Sequence, residues 1–222
     1  MKRTILVLAA FFLLAGSAQA TTLTFEGMRT NLSIPSTWGS NIAAAEAGIV
    51  DTLGLGWTPT VGLTWSATGG TWQFYNDAEW TAAQMDSFGK GDQFDLLFTP
   101  AAGYAVQVQS FVFDDYINYQ GGSTFTWQLF KDSASGALIN SGTNITTTDG
   151  QDLPINTGMA TPYAGSVLLR LIGGTDSVNN GKDAALDSIT FTDPAVPVPE
   201  PATMLLLGTG LVGLAGFRRF KK

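Results

Sequence analysis

The sequence predicts an all-β domain, built as a jelly-roll sandwich of two sheets. Short segments rich in β-branched and aromatic residues recur between pairs of turn residues. Phe125, Trp127 and Leu129 alternate with polar neighbours, as expected of a strand that has one buried face. Eight such segments joined by long loops favour a jelly roll, with an immunoglobulin-like sandwich as the alternative.

The predicted strands lie at 23–25, 61–66, 71–75, 94–98, 106–113, 124–130, 166–172 and 185–192. Gly69-Gly70, Gly121-Gly122, Asp149-Gly150 and Gly173-Gly174 mark turns between them. The continuously apolar residues 167–169 indicate a central strand. A short helix is expected at 41–49, with a second candidate near 80–87.

The first twenty residues predict a signal peptide. Lys2 and Arg3 form a positive start, residues 5–15 are apolar, and Ala18-Gln19-Ala20 is a small-residue cleavage pattern. Cleavage is expected after Ala20, which leaves a single domain at 21–194. The alternative is an uncleaved N-terminal anchor, which the short apolar segment disfavours.

The end of the chain, 198–222, reads VPEPATMLLLGTGLVGLAGFRRFKK and predicts a membrane anchor. Residues 202–217 form an uncharged apolar run, expected to be one transmembrane helix, and residues 218–222 form a basic tail that stays in the cytoplasm. The run is shorter than the roughly 20 residues that span a bilayer comfortably, so the anchor is weak. Residues 195–201 are expected to form a Pro-rich stalk.

The motif Pro199-Glu200-Pro201, the Gly-rich apolar run and the terminal basic residues resemble the PEP-CTERM sorting signal of exported bacterial proteins. The resemblance implies an exosortase as processing partner, which recognises the signal and removes the anchor. It also implies a cell that makes extracellular polysaccharide. The expected course is export through the inner membrane, transient anchoring with the body outside, and release to the cell surface or beyond.

The charge of the body excludes several partners. The segment between residue 20 and the anchor contains 18 acidic and five basic residues, which gives a net charge of −13. Nucleic acid and anionic membrane surfaces are therefore not expected as partners, and the anchor is the only part of the chain expected to contact the membrane. Neutral ligands such as extracellular polysaccharide, and cations, remain.

The chain contains no histidine and no cysteine, which excludes His-based triads, thiol nucleophiles and ordinary zinc sites. Carboxylate chemistry remains. Adjacent residues on a strand point to opposite faces, so Asp114 and Asp115 could not flank one glycosidic bond. They follow the end of the predicted strand at 106–113 and are expected to form a turn. Asp77 and Glu79 lie beside aromatic residues, as a glycosidase acid can, although a solvated loop is the preferred interpretation. No catalytic residue is assigned.

A calcium site is expected from Glu26 and Asp187. Residues 24–27 and 186–191 resemble the first and last strands of jelly-roll carbohydrate-binding modules, in which such carboxylates help to hold a structural calcium. Asp187 would project toward the core side with Ile189, where a carboxylate needs a partner or a cation. The alternative is that Asp187 caps a turn or pairs with Lys182.

Six tryptophans lie in the body. Sugar rings stack on exposed aromatic rings, so Trp38, Trp57 and Trp80, which lie near turn residues, are candidates for a glycan platform. The strand residues Trp65, Trp72 and Trp127 are expected in the core.

Three functions follow for the exported body. The first is a non-enzymatic structural or adhesive protein of the cell envelope or an exopolysaccharide matrix. The second is a carbohydrate-binding module, and the third is a glycan-acting enzyme whose two carboxylates lie about 5 to 9.5 Å apart. The sorting signal, the acidic body and the missing catalytic chemistry favour the first.

Overall fold

The computed structural model describes residues 20–25, 32–34, 36, 38, 60–76, 81–86, 88–115, 124–147, 152–174 and 184–196. These residues form twelve strands and two antiparallel sheets. The strands are β1 (Ala20–Thr24), β2 (Leu32–Ser33), β3 (Val61–Thr68), β4 (Thr71–Asn76), β5 (Thr81–Asp86), β6 (Gln93–Pro100), β7 (Gln107–Asp115), β8 (Thr124–Lys131), β9 (Leu138–Thr146), β10 (Leu153–Asn156), β11 (Val167–Gly173) and β12 (Ala184–Thr192).

Sheet A has the order β10-β7-β12-β5-β4-β2, and β1 also pairs with β12. Sheet B has the order β3-β6-β11-β8-β9. The first and last strands are thus direct neighbours, with Thr24 opposite Ser188. The prediction of an all-β jelly-roll sandwich is confirmed.

The core lies between the two sheets and is rich in aromatic rings. In β8, Phe125, Trp127 and Leu129 are buried while the intervening residues are half-buried, so the alternation seen in the sequence sets the inner face. Phe113 of sheet A stacks on Phe125 of sheet B at 3.8 Å between ring centroids. Stacked and edge-on ring pairs of this kind add to the stabilisation from buried area.

All eight predicted strands are confirmed, but four further strands were not expected. The most instructive is β5, because its sequence Thr-Ala-Ala-Gln-Met-Asp contains good helix formers and was a helix candidate. That prediction is wrong. Ala83 and Met85 face the core at every second position, opposite Phe74 and Trp72 of β4, so packing in the sheet overrides local propensity. The helix expected at 41–49 lies outside the described residues.

The chain after β12 stays attached to the body. The Asp193 carboxylate accepts a hydrogen bond from the Thr60 hydroxyl, and the Pro194 carbonyl accepts one from Ala105 N at 3.0 Å. Val196 N donates to the Gly103 carbonyl at 2.8 Å. The predicted stalk therefore begins with two residues, Ala195 and Val196, that lie against the 101–105 loop.

Candidate functional site

The outer face of sheet B carries two adjacent rows of side chains that cross all five strands. The register places polar residues in one row and mainly apolar residues in the next. The polar row is Ser66, Asp95, Arg170, Gln128 and Ser141, and the apolar row is Thr64, Leu97, Leu168, Phe130 and Leu138. At about 4.8 Å between strands, each row is roughly 19 Å long.

An ion pair occupies the middle of the polar row. Arg170 donates from Nε to Asp95 Oδ1 at 2.8 Å and from Nη2 to Oδ2 at 2.7 Å. The hydrogen bond to Asp95 raises the pKa of Arg170. The two side chains are only 20% and 17% exposed, so the charges neutralise each other within the face.

A second surface lies on the outer face of sheet A. It is a depression of about 370 Å³ lined by Gln107, Gln109, Ser110, Asn156 and Met159. Asn156 and Ser110 also begin a polar row that crosses four strands, because Ser110 lies opposite Thr190 and Thr190 opposite Thr22. The Thr22 and Thr190 hydroxyls are 3.1 Å apart.

A β-bulge shapes this depression. The pairing of β7 with β12 shifts register between Thr190 and Phe191, which leaves Gln109 as the extra residue of β7. Thr157, which is 0% exposed, supports the bulge: its amide donates to Gln109 O at 2.9 Å, and its hydroxyl lies 2.5 Å from Val108 O. The Thr157 carbonyl in turn accepts a hydrogen bond of 2.7 Å from Asn140 Nδ2 of sheet B.

Of the predicted glycan platform, Trp38 is in the core, and its assignment as an exposed residue is wrong. It is 6% exposed and packs between Phe25, Trp65 and Phe74, with ring centroids 5.6, 5.8 and 5.1 Å away. A ring enclosed in this way has no free face for a sugar. Trp57 and Trp80 lie outside the described residues. The predicted core positions of Trp65, Trp72 and Trp127 are confirmed.

Asp187, one of the two predicted calcium ligands, lies at an irregularity of β12. The register with β7 shifts between Leu186 and Ser188, so Asp187 is the unmatched residue there and is half-buried. The buried residues Leu186 and Ile189 flank the shift. Asp187 therefore does not continue the simple alternation expected from the sequence.

Glu26, the other predicted ligand, lies outside the described residues. Within the described part of the chain, no group of three or more acidic side chains converges on one point. The pairing of β1 with β12 nevertheless makes β1, which ends two residues before Glu26 in the sequence, a direct neighbour of the strand that carries Asp187.

Asp114 and Asp115 are the last two residues of β7, opposite Ala185 and Ala184, so the expected turn is wrong. Asp114 is buried on the outer side of sheet A, in line with the buried Gln84 of β5. Asp95 lies on sheet B, so the carboxylates of Asp95 and Asp114 cannot act on one glycosidic bond.

Sequence reasoning missed both the two rows on sheet B and the depression. Neither surface has a motif. Each row on sheet B takes one residue from each of five strands, and the depression combines residues of β7 with the end of β10 and Met159 beyond it. The register of β9 and β10, which were not predicted as strands, is needed to place Ser141, Leu138 and Asn156. The signal that the sequence does carry is the alternation of polar and apolar residues in β8.

Comparison with known proteins identifies a PEP-CTERM protein-sorting motif at residues 197–219. It contains the predicted Pro199, Glu200 and Pro201. The chain is thus an exported protein that is anchored at its C-terminal end and processed by an exosortase. The motif, the anchor and the cleavage residue Ala18 lie outside the described residues, and Ala20 begins β1. No helix in the described segments has the length and apolar character needed to cross a bilayer.

No curated protein matches the sequence. Comparison with solved structures finds similarities at low identity. A xylan-binding module, CBM15, has 12% identity and a TM-score of 0.37 over 60% of this chain and 92% of its own. The CBM22-1 xylan-binding domain from Paenibacillus barcinonensis Xyn10C has 11% identity and a TM-score of 0.38 over 60% and 86%. The infectious bursal disease virus Gt strain structure has 15% identity and a TM-score of 0.37 over 81% and 52%.

Proposed function

We propose that the exported body is a non-enzymatic structural or adhesive component of an exopolysaccharide layer, and that it binds neutral polysaccharide directly. The sorting motif supports the location, because it delivers the chain to the outside of the cell. Polysaccharide binding depends on which side chains the body exposes outside the cell.

The observation that carries this proposal is the pair of rows on the outer face of sheet B. A sugar ring has apolar faces and a rim of hydroxyl groups, so it needs apolar contact beside hydrogen-bonding groups. Leu97 and Phe130, which are half-buried, offer the apolar contact. Ser66 and Gln128 lie in the polar row, two residues along the strand from the apolar row, and offer donors and acceptors. The Asp95–Arg170 pair is neutral as a unit and can still accept and donate hydrogen bonds at its exposed edge.

Charge also supports a neutral ligand. The 13 net negative charges between residue 20 and the anchor repel polyanions at long range. Apolar and hydrogen-bonding contacts to an uncharged polymer are unaffected by this field, so binding should survive raised salt. A shallow face of this kind gives weak binding per site, roughly millimolar to micromolar.

The absence of catalysis is part of the proposal. A glycan-acting enzyme needs two carboxylates on either side of one bond. In the segments that the structure describes, Asp95 forms an ion pair with Arg170 on sheet B, and Asp114 is buried on sheet A. A second carboxylate beside Asp95 would be the feature that favours the enzyme.

Co-sedimentation of the purified exported protein with an array of insoluble neutral polysaccharides tests the proposal. The Phe130→Ser and Gln128→Ala variants should each lose most binding, whereas Thr146→Ala, an exposed substitution at the end of β9, should retain it. Melting curves of all variants separate lost contact from lost folding. Failure of the wild-type protein to bind any polysaccharide, or hydrolysis of one, would overturn the proposal.

A further inference from the structure

We propose that the depression on sheet A, lined by Gln107, Gln109, Ser110, Asn156 and Met159, binds one uncharged sugar residue of a polysaccharide chain. It is a second contact site, separate from the face of sheet B. The inference rests on the proposed function, since it takes the ligand to be a neutral glycan, but it makes a separate claim about where that glycan is held.

The lining has hydrogen-bonding capacity that the protein does not use. In the described part of the chain, the Gln109 side chain and the Ser110 hydroxyl make no hydrogen bond to protein. Towards the described residues, Asn156 uses its Oδ1 alone, which accepts from Gly158 N at 2.8 Å, so its Nδ2 is left to donate. Amide and hydroxyl groups both donate and accept, which is what a sugar hydroxyl requires of its partners.

The other two residues form a fixed wall. Gln107 donates from Nε2 to the Met159 carbonyl at 2.6 Å, and its Oε1 accepts from the Thr192 hydroxyl at 3.4 Å. Met159 lines the depression, but it is 6% exposed and packs into the core, so little of its side chain faces the amides.

The depression is formed before any ligand arrives. The bulge at Gln109 is held by Thr157, and Thr157 is held by Asn140 from the other sheet at 2.7 Å. Gly158 has φ of +66°, a conformation that favours glycine, which allows the turn to pass close to Asn140. A site fixed in this way loses little conformational freedom on binding.

Charge and size narrow the ligand class. None of the five lining residues is charged, so nothing in the wall would compensate the desolvation of an ionised group. The volume of about 370 Å³ is at the lower end of the 300 to 1,000 Å³ usual for small-molecule sites. Because the polar row continues from Asn156 and Ser110 to Thr190 and Thr22, neighbouring sugar residues of the same chain can lie along the sheet.

The depression and the two rows lie on opposite sides of the sandwich. The two sheets pack through their inner faces, so the depression and the rows on sheet B point away from each other. One molecule that uses both surfaces joins two polysaccharide chains.

The test uses the purified exported protein labelled with ¹³C at the methionine methyl groups and titrated with the neutral polysaccharide that it binds best. The Met159 methyl resonance, assigned with Met159→Leu, should shift on titration, and that of Met85, which is buried in the core, should not. Gln109→Ala and Ser110→Ala should abolish the Met159 shift and reduce polysaccharide cross-linking, measured as the increase in viscosity. The matched control Thr146→Ala should change neither.

Failure of this inference can be told apart from failure of the proposed function. If the wild-type protein binds polysaccharide while the Met159 resonance does not move, or if Gln109→Ala and Ser110→Ala leave the shift intact, the depression is not a binding site and the proposed function still holds. If the wild-type protein binds no polysaccharide, both are wrong.

Discussion

Trp65 donates its indole N–H to the backbone carbonyl of Trp38 at 2.8 Å, and the two rings lie 5.8 Å apart in the core. The bond ties the segment around Trp38 to β3 of sheet B. Because both the backbone carbonyl and the ring of Trp38 make contacts in the core, this residue stabilises the fold and does not contact a ligand.

Replacing Trp38 with alanine should therefore lower the free energy of unfolding by about 3 to 5 kcal/mol, through lost burial and the cavity left behind. Chemical denaturation measures this loss. Trp57→Ala and Trp80→Ala are the comparison, because these two residues are still predicted to form a glycan platform. They should weaken polysaccharide binding and leave the unfolding midpoint unchanged. A fully stable Trp38→Ala variant would contradict the core assignment.

The Asp95–Arg170 pair should contribute to stability. Its two hydrogen bonds are short and the side chains are largely shielded from solvent, so Asp95→Ala should cost about 1 to 2 kcal/mol. A double-mutant cycle with Arg170→Ala isolates the coupling between the two side chains. A coupling near zero would show that the pair is no stronger than an ordinary exposed ion pair.

The hydroxyl of Thr157 offers a third measurement. Thr157→Val keeps the shape of the side chain but removes the donor to the Val108 and Gln109 carbonyls, which should cost about 1 to 3 kcal/mol. Thr143→Val on the exposed part of β9 is the matched control and should be nearly neutral. Equal stability of the two variants would mean that the hydroxyl does not support the bulge.

A calcium site at Glu26 and Asp187 remains a prediction. If it exists, the melting temperature should be higher in millimolar calcium than in chelator, because an ion that binds only the folded state stabilises it by mass action. Magnesium should have a smaller effect, since an irregular site with many oxygen ligands suits the larger ion. Asp187→Asn should remove most of the difference. An unchanged melting temperature in chelator would leave Asp187 as a residue of the β12 irregularity alone.

Processing gives the fifth prediction. The mature protein should begin at Thr21 and lack most of residues 202–222. Such a cut would keep four of the five residues of β1 and remove only Ala20, which pairs with Thr192. Intact-mass measurement of the exported protein decides this, and recovery of the full-length chain from a host with an exosortase would contradict it.

Much of the fold could be predicted because burial and alternation coincide in the long strands. In β6 and β8 the residues that alternate in the sequence also alternate between core and outer face. The signal fails in β9, where Leu138 is 52% exposed and the strand lies at an edge of sheet B with little to bury. It fails in β5 because alanine and methionine are good helix formers, so their presence does not indicate a strand.

The candidate sites were less predictable, for a related reason. Trp38 has the turn-rich surroundings of a surface residue, and only the rings of Phe25, Trp65 and Phe74 show that it is enclosed. The depression depends on the bulge at Gln109 and on a threonine 48 residues later in the chain. Neither relationship has a local pattern in the sequence.

The hydrogen bonds that attach Pro194 and Val196 to the 101–105 loop set the clearance between the body and the bilayer. Only five residues, 197–201, lie between Val196 and Ala202, where the apolar run begins, so the two are six residue steps apart. Even a fully extended chain of that length reaches no more than about 20 Å. With the predicted membrane anchor at 202–217, the 101–105 end of the sandwich would therefore lie close to the lipid headgroups until the exosortase removes the anchor. If the proposed function holds, only the released protein can turn freely and present either sheet to a polysaccharide.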